Sequence, residues 1–180
     1  MSTAMTPKVT TYDTVMELDY AESEIGLILA DGRSERIALK TACPTEFIVH
    51  EPAISDDGSV DLSLEIIRFD LVGASRELWP GQEIHVLGGA LSSPDGRPIL
   101  GSAHIPAGRA LEQGVMSEQV LYLTIETPVG TLHNDKPVRM GGELFRLPPK
   151  GSRFESHEET PLFTPEGVQV GTLFMCANEA

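Results

Sequence analysis

Five histidines are the side chains of this sequence best suited to chemistry, because a neutral imidazole acts as a general base and as a transition-metal ligand. They are His50, His85, His104, His133 and His157. None of them belongs to a His-x-His or His-Glu-x-x-His pattern, and the sequence has no Cys-x-x-Cys pair. A metal site would therefore need ligands from separate strands. The sequence predicts no metal site and no cofactor.

Three titratable residues interrupt otherwise apolar segments. Such a group on a buried face needs a partner and often has a shifted pKa. His85 and His104 lie on either side of the turn-like segment 93–98, so a hairpin there would bring the two histidines together. Glu143 shares a strand face with Phe145. These three titratable residues are the predicted acid–base groups of an enzyme that needs no cofactor, such as an isomerase, a cyclase or a lyase.

Four other side chains are predicted to contact a ligand. Tyr122 and Glu126 lie together on the less apolar face of one strand, and Phe145 supplies an apolar surface on another. Trp79 is the only tryptophan and stands before a Pro-Gly pair, so it is either the anchor of a loop or part of the rim of a pocket. If the strands close into a barrel, alternation places one set of these polar residues in the lumen.

The elements that must position these residues are strands. Apolar and polar residues alternate repeatedly over residues 60–176, and Gly, Pro and Asp interrupt the pattern about every ten residues. This pattern predicts an all-β fold of about nine or ten mainly antiparallel strands. It is compatible with a single barrel and with a two-sheet sandwich. One short helix is predicted over residues 109–118.

Turn residues predict two hairpins. Asp31-Gly32 separates the apolar runs 25–29 and 37–41, and glycine accepts the positive φ that a tight hairpin requires. The segment 93–98, with its Pro-Asp-Gly sequence, predicts the second hairpin and places its two flanking strands side by side.

The long strand predicted over residues 60–71 changes its apolar face along its length. Its apolar positions are even up to Ile66 and odd from Ile67 onward, which predicts a bulge at this pair. Residues 119–127 read as one clean strand, and residues 148–159 as an exposed connection.

The composition limits the partners and the location of the protein. The 180 residues include 27 acidic and 13 basic side chains, and the formal net charge of −14 repels nucleic acids and anionic membranes. No apolar segment has the length of a signal sequence or of a membrane span, which predicts a cytoplasmic protein. We expect a flexible segment over residues 1–7 and a single β domain over residues 8–180. No disulfide is predicted between Cys43 and Cys176.

Three functions are compatible with this sequence. The leading interpretation is a protein that holds a small, partly apolar organic ligand inside a barrel or between two sheets. The alternatives are a cofactor-independent enzyme that uses the same cavity, and a structural or assembly protein that forms homo-oligomers through strand edges. Paired titratable groups in a cavity would favour the enzyme, an apolar cavity would favour ligand binding, and a packed interior with an apolar outer patch would favour assembly.

Overall fold

The strands form one continuous antiparallel sheet, which confirms the predicted all-β fold. The computed structural model describes residues 12–93 and 96–180; the predicted flexible segment 1–7 and two residues of the predicted 93–98 turn lie outside this range. The first seven strands are β1 (Val15–Leu18), β2 (Glu22–Leu29), β3 (Ser34–Val49), β4 (Ala53–Ile54), β5 (Val60–Ala74), β6 (Glu83–Gly88) and β7 (Ile99–Ile105). The others are β8 (Val115–Leu121), β9 (Leu123–Thr127), β10 (Gly130–His133), β11 (Val138–Leu144), β12 (Arg153–Ser156), β13 (Thr160–Phe163) and β14 (Gln169–Glu179).

The sheet closes into a ring with eight positions, so of the two predicted architectures the structure has the barrel. Four neighbouring positions hold the long strands β14, β2, β3 and β5. Each of the other four holds two short strands placed end to end: β6 and β7, β9 and β8, β10 and β11, and β13 and β12. The described residues therefore form fourteen strands where nine or ten were predicted. A ring of eight strands encloses a lumen that side chains or one small ligand can fill.

The hairpin between β2 and β3 is confirmed. Gly32 has a φ of +87°, and its N–H donates a hydrogen bond of 2.9 Å to the carbonyl oxygen of Leu29. The two strands pair from Glu22 opposite Lys40 up to the turn. Their inner residues are almost fully buried, so the register that the turn sets also builds the core.

The predicted bulge in β5 is also confirmed. Phe47 of β3 lies opposite Ile66, but the preceding Glu46 lies opposite Arg68, so Ile67 is the extra residue of β5. Before the bulge the side chains of β5 that face inward are at even positions, and after it they are at odd positions. It also marks the point along β5 where its other edge changes partner from β7 to β6.

The second predicted hairpin is wrong in its pairing. The chain does reverse between β6 and β7, but these two strands do not pair with each other among the described residues. Both lie along the same edge of β5, where β7 pairs with the first half and β6 with the second half. The reason is the length of β5, which offers enough backbone edge for two short partners.

Two predictions of local structure need correction. The helix predicted over residues 109–118 is one 3₁₀ turn, Leu111–Gln113, because Gly114 has a φ of +85° and the alternating pattern of β8 begins directly after it. The predicted exposed connection over residues 148–159 contains β12, whose Phe154 is only 3% exposed. The sequence there does alternate, and alternate side chains face the core.

Residues 119–127 also form two strands and not one. Tyr122 separates strands β8 and β9. The buried side chain of Asn134 forms hydrogen bonds with backbone groups on both sides of this break. Its Oδ1 accepts a hydrogen bond of 2.7 Å from the N–H of Leu123. Its Nδ2 donates to the carbonyl oxygens of Leu121, at 3.1 Å, and Lys136, at 2.8 Å. The break therefore leaves these backbone groups paired.

The core fills most of the lumen. Its largest fully buried side chains come from strands all around the ring and include Leu27, Ile37, Ile84, Ile99, Ile125 and Leu173. A smaller cluster, formed by Leu18, Phe47 and Val49, packs at the end of the ring where β1 lies. Within the described residues, no helix is long and apolar enough to cross a membrane.

Candidate functional site

Two small cavities adjoin each other inside the ring. The first has a volume of about 60 Å³, and its apolar walls include Ile25, Phe69, Val86, Leu121, Leu123 and Met140. The second, of about 40 Å³, lies toward β1 and is lined by Leu18, Phe47, Leu64, Phe154 and Ala180. Four residues line both cavities and so mark the place where they meet: Thr45, Ile66, Gln119 and Asn178. We call the two together the lumen site.

Three neutral polar side chains meet at the junction of the lumen site. Gln119 is only 6% exposed and follows the inward-facing parity of β8. Asn178 is held by a hydrogen bond of 3.0 Å that Ser23 Oγ donates to its Oδ1 across β2 and β14. Thr45 lies on the inner face of β3, two residues before Phe47. These groups provide hydrogen-bonding capacity within an otherwise apolar lining.

One end of the lumen site is closed by side chains and not by a complete backbone ladder. Strand β1 pairs with β3, and among the described residues it has no ladder with β12 or β14. Leu18 of β1 and Phe154 of β12 both line the second cavity. A strand of four residues that is held along one edge is the part of this wall that can open with the least loss of hydrogen bonds.

The described lining of the lumen site has no basic side chain: neither Lys nor Arg nor His lines either cavity there. Burial raises the pKa of the Cys176 thiol to about 12, so this thiol is neutral near pH 7. Glu24 also borders the first cavity, but its side chain is exposed. Its Oε1 lies 3.7 Å from Nη1 of Arg36, whose side chain is exposed too. The site is thus suited to an uncharged, mainly apolar molecule.

The predicted catalytic histidines lie on the outer surface and far apart. His85 lies opposite Val72 and His104 lies opposite Asp61, so about 35 Å of strand β5 lies between their partners. The predicted proximity of the two histidines is therefore wrong, because β6 and β7 lie end to end. His104 is exposed and its Nδ1 is 2.7 Å from a carboxylate oxygen of Asp61.

His85 has two acidic partners on the outer face. Its Nδ1 is 2.8 Å from Asp70 Oδ1, and its Nε2 is 2.7 Å from Glu83 Oε1. The hydrogen bond with Asp70, and then the one with Glu83, raise the pKa of His85 above its usual value. Among the described residues, no group of three His, Cys, Asp or Glu side chains is arranged to hold a metal ion.

The other predicted site residues are also dispersed outside the lumen. Glu143 is exposed, and its carboxylate lies beside Phe145 over Gly114. Tyr122 stacks under the guanidinium of Arg97, whose Cζ is 4.3 Å from the ring centroid.

Glu126 and Trp79 complete this set. Glu126 is exposed and lies opposite His85 in the pairing of β9 with β6. Trp79 lies in the loop between β5 and β6, where its backbone N–H donates a hydrogen bond of 2.8 Å to Ser75 Oγ. None of the seven predicted residues lines the lumen site, and Trp79 lies in a loop, as one of its two predicted positions had it. A role for them in binding or catalysis stays a prediction.

The polar residues of the lumen site were missed by the sequence interpretation, although a signal for them exists. Gln119 has the same parity as Leu121, Leu123 and Ile125, so it is a polar residue on the apolar face of its segment. Asn178 likewise shares the parity of the buried Cys176. Both side chains are neutral amides and therefore do not belong to the titratable groups that the sequence interpretation singled out.

Comparisons with known proteins identify the fold. No protein-family model matches this chain, and no curated protein matches it. Among solved structures it is similar to DynF from the dynemicin biosynthesis pathway of Micromonospora chersina, with a TM-score of 0.70. The match covers 96% of this chain and 86% of DynF, at 16% sequence identity. At this identity, the likeness shows that the two chains share a fold.

Proposed function

We propose that this protein binds a small, mainly apolar organic molecule in the lumen site. The observation that carries this proposal is the pair of adjoining cavities with apolar walls and three neutral polar side chains at their junction. Binding sites for small organic molecules typically combine an apolar lining with a few placed polar groups. The described cavities accommodate only a few heavy atoms, so a larger ligand would enter by displacing β1 from the wall.

The similar structure is consistent with this proposal. DynF belongs to a pathway that produces dynemicin, and its ring of strands is shared by this chain. We infer that the present protein acts on or carries a small molecule, of a kind that the fold alone does not specify. A cytoplasmic location and the exclusion of nucleic acids as partners stay predictions.

The two alternatives have different support. For an enzyme that uses the same cavity, the titratable side chains of the described lining are Glu24 and Cys176, and no hydrogen bond or ion pair joins these two. For a homo-oligomer, the outer face around β7 and β8 carries exposed Leu100 and Met116, the latter 70% exposed. We therefore retain assembly as a second candidate, which the subunit number in solution tests directly.

Native mass spectrometry of the purified protein is the first test. A co-purifying organic mass would support the lumen site, and the same spectrum reports the number of subunits. Naphthalene, a fluorescent hydrocarbon, then serves as a probe of an apolar cavity. We expect its emission to change on saturable binding to the native protein.

A cavity-filling variant locates the probe. Cys176→Leu adds carbon atoms to the wall of the first cavity, so we expect it to weaken naphthalene binding about tenfold or more. Cys43→Leu is the matched control, because Cys43 lines neither cavity. Equal naphthalene binding by native protein and Cys176→Leu, or no binding by the native protein, would overturn the proposal.

A further inference from the structure

We propose that Gln119 determines the ligand class of the lumen site by hydrogen bonding to a neutral oxygen, so that the preferred ligand is an apolar molecule with a carbonyl or hydroxyl group. This inference rests on the proposed function, because it concerns the ligand that the same site binds. Carboxylates and amines are then poor ligands of the site.

The first observation is that Gln119 is a buried residue whose amide makes no hydrogen bond to any residue that the structure describes. The residue is 6% exposed, and its amide is not one of the fully enclosed unpaired groups of the described chain, which belong to Glu46, Ser152 and Thr160. The contrast is Asn134, whose buried amide makes three hydrogen bonds to backbone groups. Buried amides are normally paired, so an unpaired one calls for a partner that the protein itself does not supply.

The second observation is the position of this amide. Gln119 lies opposite Met140 of β11 and Gly101 of β7, in the middle of the wall. It lines both cavities of the lumen site, as Thr45 and Asn178 do. A ligand that extends from the apolar first cavity toward β1 therefore passes this polar junction.

The donors and acceptors at the junction fit an oxygen atom. Asn178 Oδ1 already accepts a hydrogen bond from Ser23 Oγ, which leaves the Asn178 NH₂ group as a donor. The Gln119 NH₂ group and the Thr45 hydroxyl group add further donors. A carbonyl oxygen accepts from such groups, and a hydroxyl group also donates to the Gln119 carbonyl oxygen.

Charge excludes the common alternatives to a neutral oxygen. A carboxylate or phosphate in the site would be buried without a cation, because no Lys, Arg or His lines either cavity in the described chain. The formal charge of −14 adds long-range repulsion. An ammonium group would also lack a side-chain counter-ion, since the one side-chain carboxylate in the described lining, on Glu24, lies near Arg36. Burial of an unpaired charge is costly.

The test uses four probes that share one ring system. They are naphthalene, 2-acetylnaphthalene as the neutral ketone, 2-naphthoate as the anion and 2-(aminomethyl)naphthalene as the cation. Affinities are measured by fluorescence titration and calorimetry. For the native protein we expect 2-acetylnaphthalene to bind about tenfold more tightly than naphthalene, and both charged probes to bind more weakly than naphthalene.

Variants of Gln119 assign the preference to its amide. Gln119→Met retains the length of an unbranched side chain but has no amide, so we expect it to lose the preference for the ketone while still binding naphthalene. Gln119→Glu places a carboxylate at the junction, so we expect it to favour the cationic probe. Gln82→Met, at an exposed loop position, is the matched control and should behave as the native protein does.

The possible outcomes separate this inference from the proposed function. If naphthalene binds but Gln119→Met keeps the full preference for the ketone, the role of Gln119 is wrong and the lumen site stands. If the native protein prefers 2-naphthoate, the ligand class is wrong. If naphthalene does not bind to the native protein, the proposed function itself fails. Circular dichroism and the melting temperature check that each variant folds. If Gln119→Met does not fold, the preference of Gln119→Glu for the cationic probe provides a second test of the role of Gln119.

Discussion

The carboxylate of Glu35 accepts a hydrogen bond of 2.7 Å from the hydroxyl group of Ser75, and both residues are buried where β3 meets the loop between β5 and β6. The same carboxylate accepts hydrogen bonds from the N–H groups of Arg76, at 2.6 Å, and Leu78, at 3.1 Å. One side chain thus holds the loop that also carries Trp79.

Replacing Glu35 should destabilise the fold. Glu35→Ala leaves the buried donors of the loop without an acceptor, so we expect a loss of about 2–4 kcal/mol in the free energy of unfolding. Urea denaturation followed by circular dichroism measures this loss. Glu166→Ala, at an exposed turn, is the control and should change the free energy by less than about 0.5 kcal/mol. A loss from Glu35→Ala no larger than that of the control would contradict the role of this carboxylate.

The contribution of Glu35 should also depend on pH. Burial raises the pKa of this carboxyl group, but the hydrogen bonds from Arg76, Ser75 and Leu78 outweigh burial and hold the pKa below its ordinary value of 4.5. The unfolded chain therefore binds a proton more readily than the folded chain, so this stabilisation is present above pH 4.5 and is lost as the pH falls through the folded-state pKa.

Glu35→Gln removes this titration without shortening the side chain. We expect the difference in unfolding free energy between native protein and this variant to be constant from pH 7 to about pH 5 and to shrink below pH 4.5. Denaturant titrations across this range measure it. A difference that stayed constant down to pH 3 would show that the pKa of Glu35 is not lowered in the folded protein.

His85 should have the opposite pH dependence. The hydrogen bond with Asp70, followed by that with Glu83, raises its pKa above 6.5, and Glu126 lies opposite it on the neighbouring strand. A raised pKa in the folded state stabilises the protein below pH 6.5, and this stabilisation is lost as the pH rises through the folded-state pKa.

Melting temperatures test this prediction. His85→Gln should melt about 2 °C below the native protein at pH 5.5, and the difference should disappear by pH 9. His157→Gln is the control, because His157 is 65% exposed and its Nε2 lies 4.0 Å from the nearest Glu155 oxygen. Equal differences at both pH values would mean that His85 contributes by packing alone.

The two cysteines should differ in reactivity. The thiol of Cys176 is buried and its pKa is raised to about 12, whereas Cys43 is partly exposed. Because the thiolate is the reactive form, we expect a disulfide reagent such as DTNB at pH 8 to modify one thiol per native chain and two per chain in urea. The folded Cys43→Ser variant should show almost no reaction with DTNB. Rapid reaction of that variant would indicate that the lumen opens readily to solvent.

Asn134 should be among the most sensitive positions for stability. Asn134→Ala removes the side chain that pairs the backbone groups of Leu121, Leu123 and Lys136, so we expect a loss of about 2–4 kcal/mol. Lys136→Ala is the neighbouring control, since Lys136 contributes its carbonyl oxygen and its side chain is exposed. Chemical denaturation compares the two, and similar stabilities would refute a structural role for this amide.

Local patterns were sufficient where the structure depends on neighbouring residues. The turn at Asp31-Gly32 predicted the β2–β3 hairpin, because glycine alone adopts its φ without strain. The change of parity at Ile66 predicted the bulge in β5, because each residue of a strand faces opposite to the one before it. The all-β class follows from the same alternation. These features need no knowledge of distant contacts.

The tertiary structure alone decided which strands pair and which face becomes the lumen. Turn chemistry at residues 93–98 predicted a reversal of the chain, but the length of β5 determined that β6 and β7 both pair with it and that His85 and His104 are far apart. Gln119 was visible in the sequence as a polar residue on an apolar face. That its amide lies at the junction of two cavities, with no hydrogen bond to any described residue, is decided only by the closed ring, because burial and partners depend on residues distant in sequence.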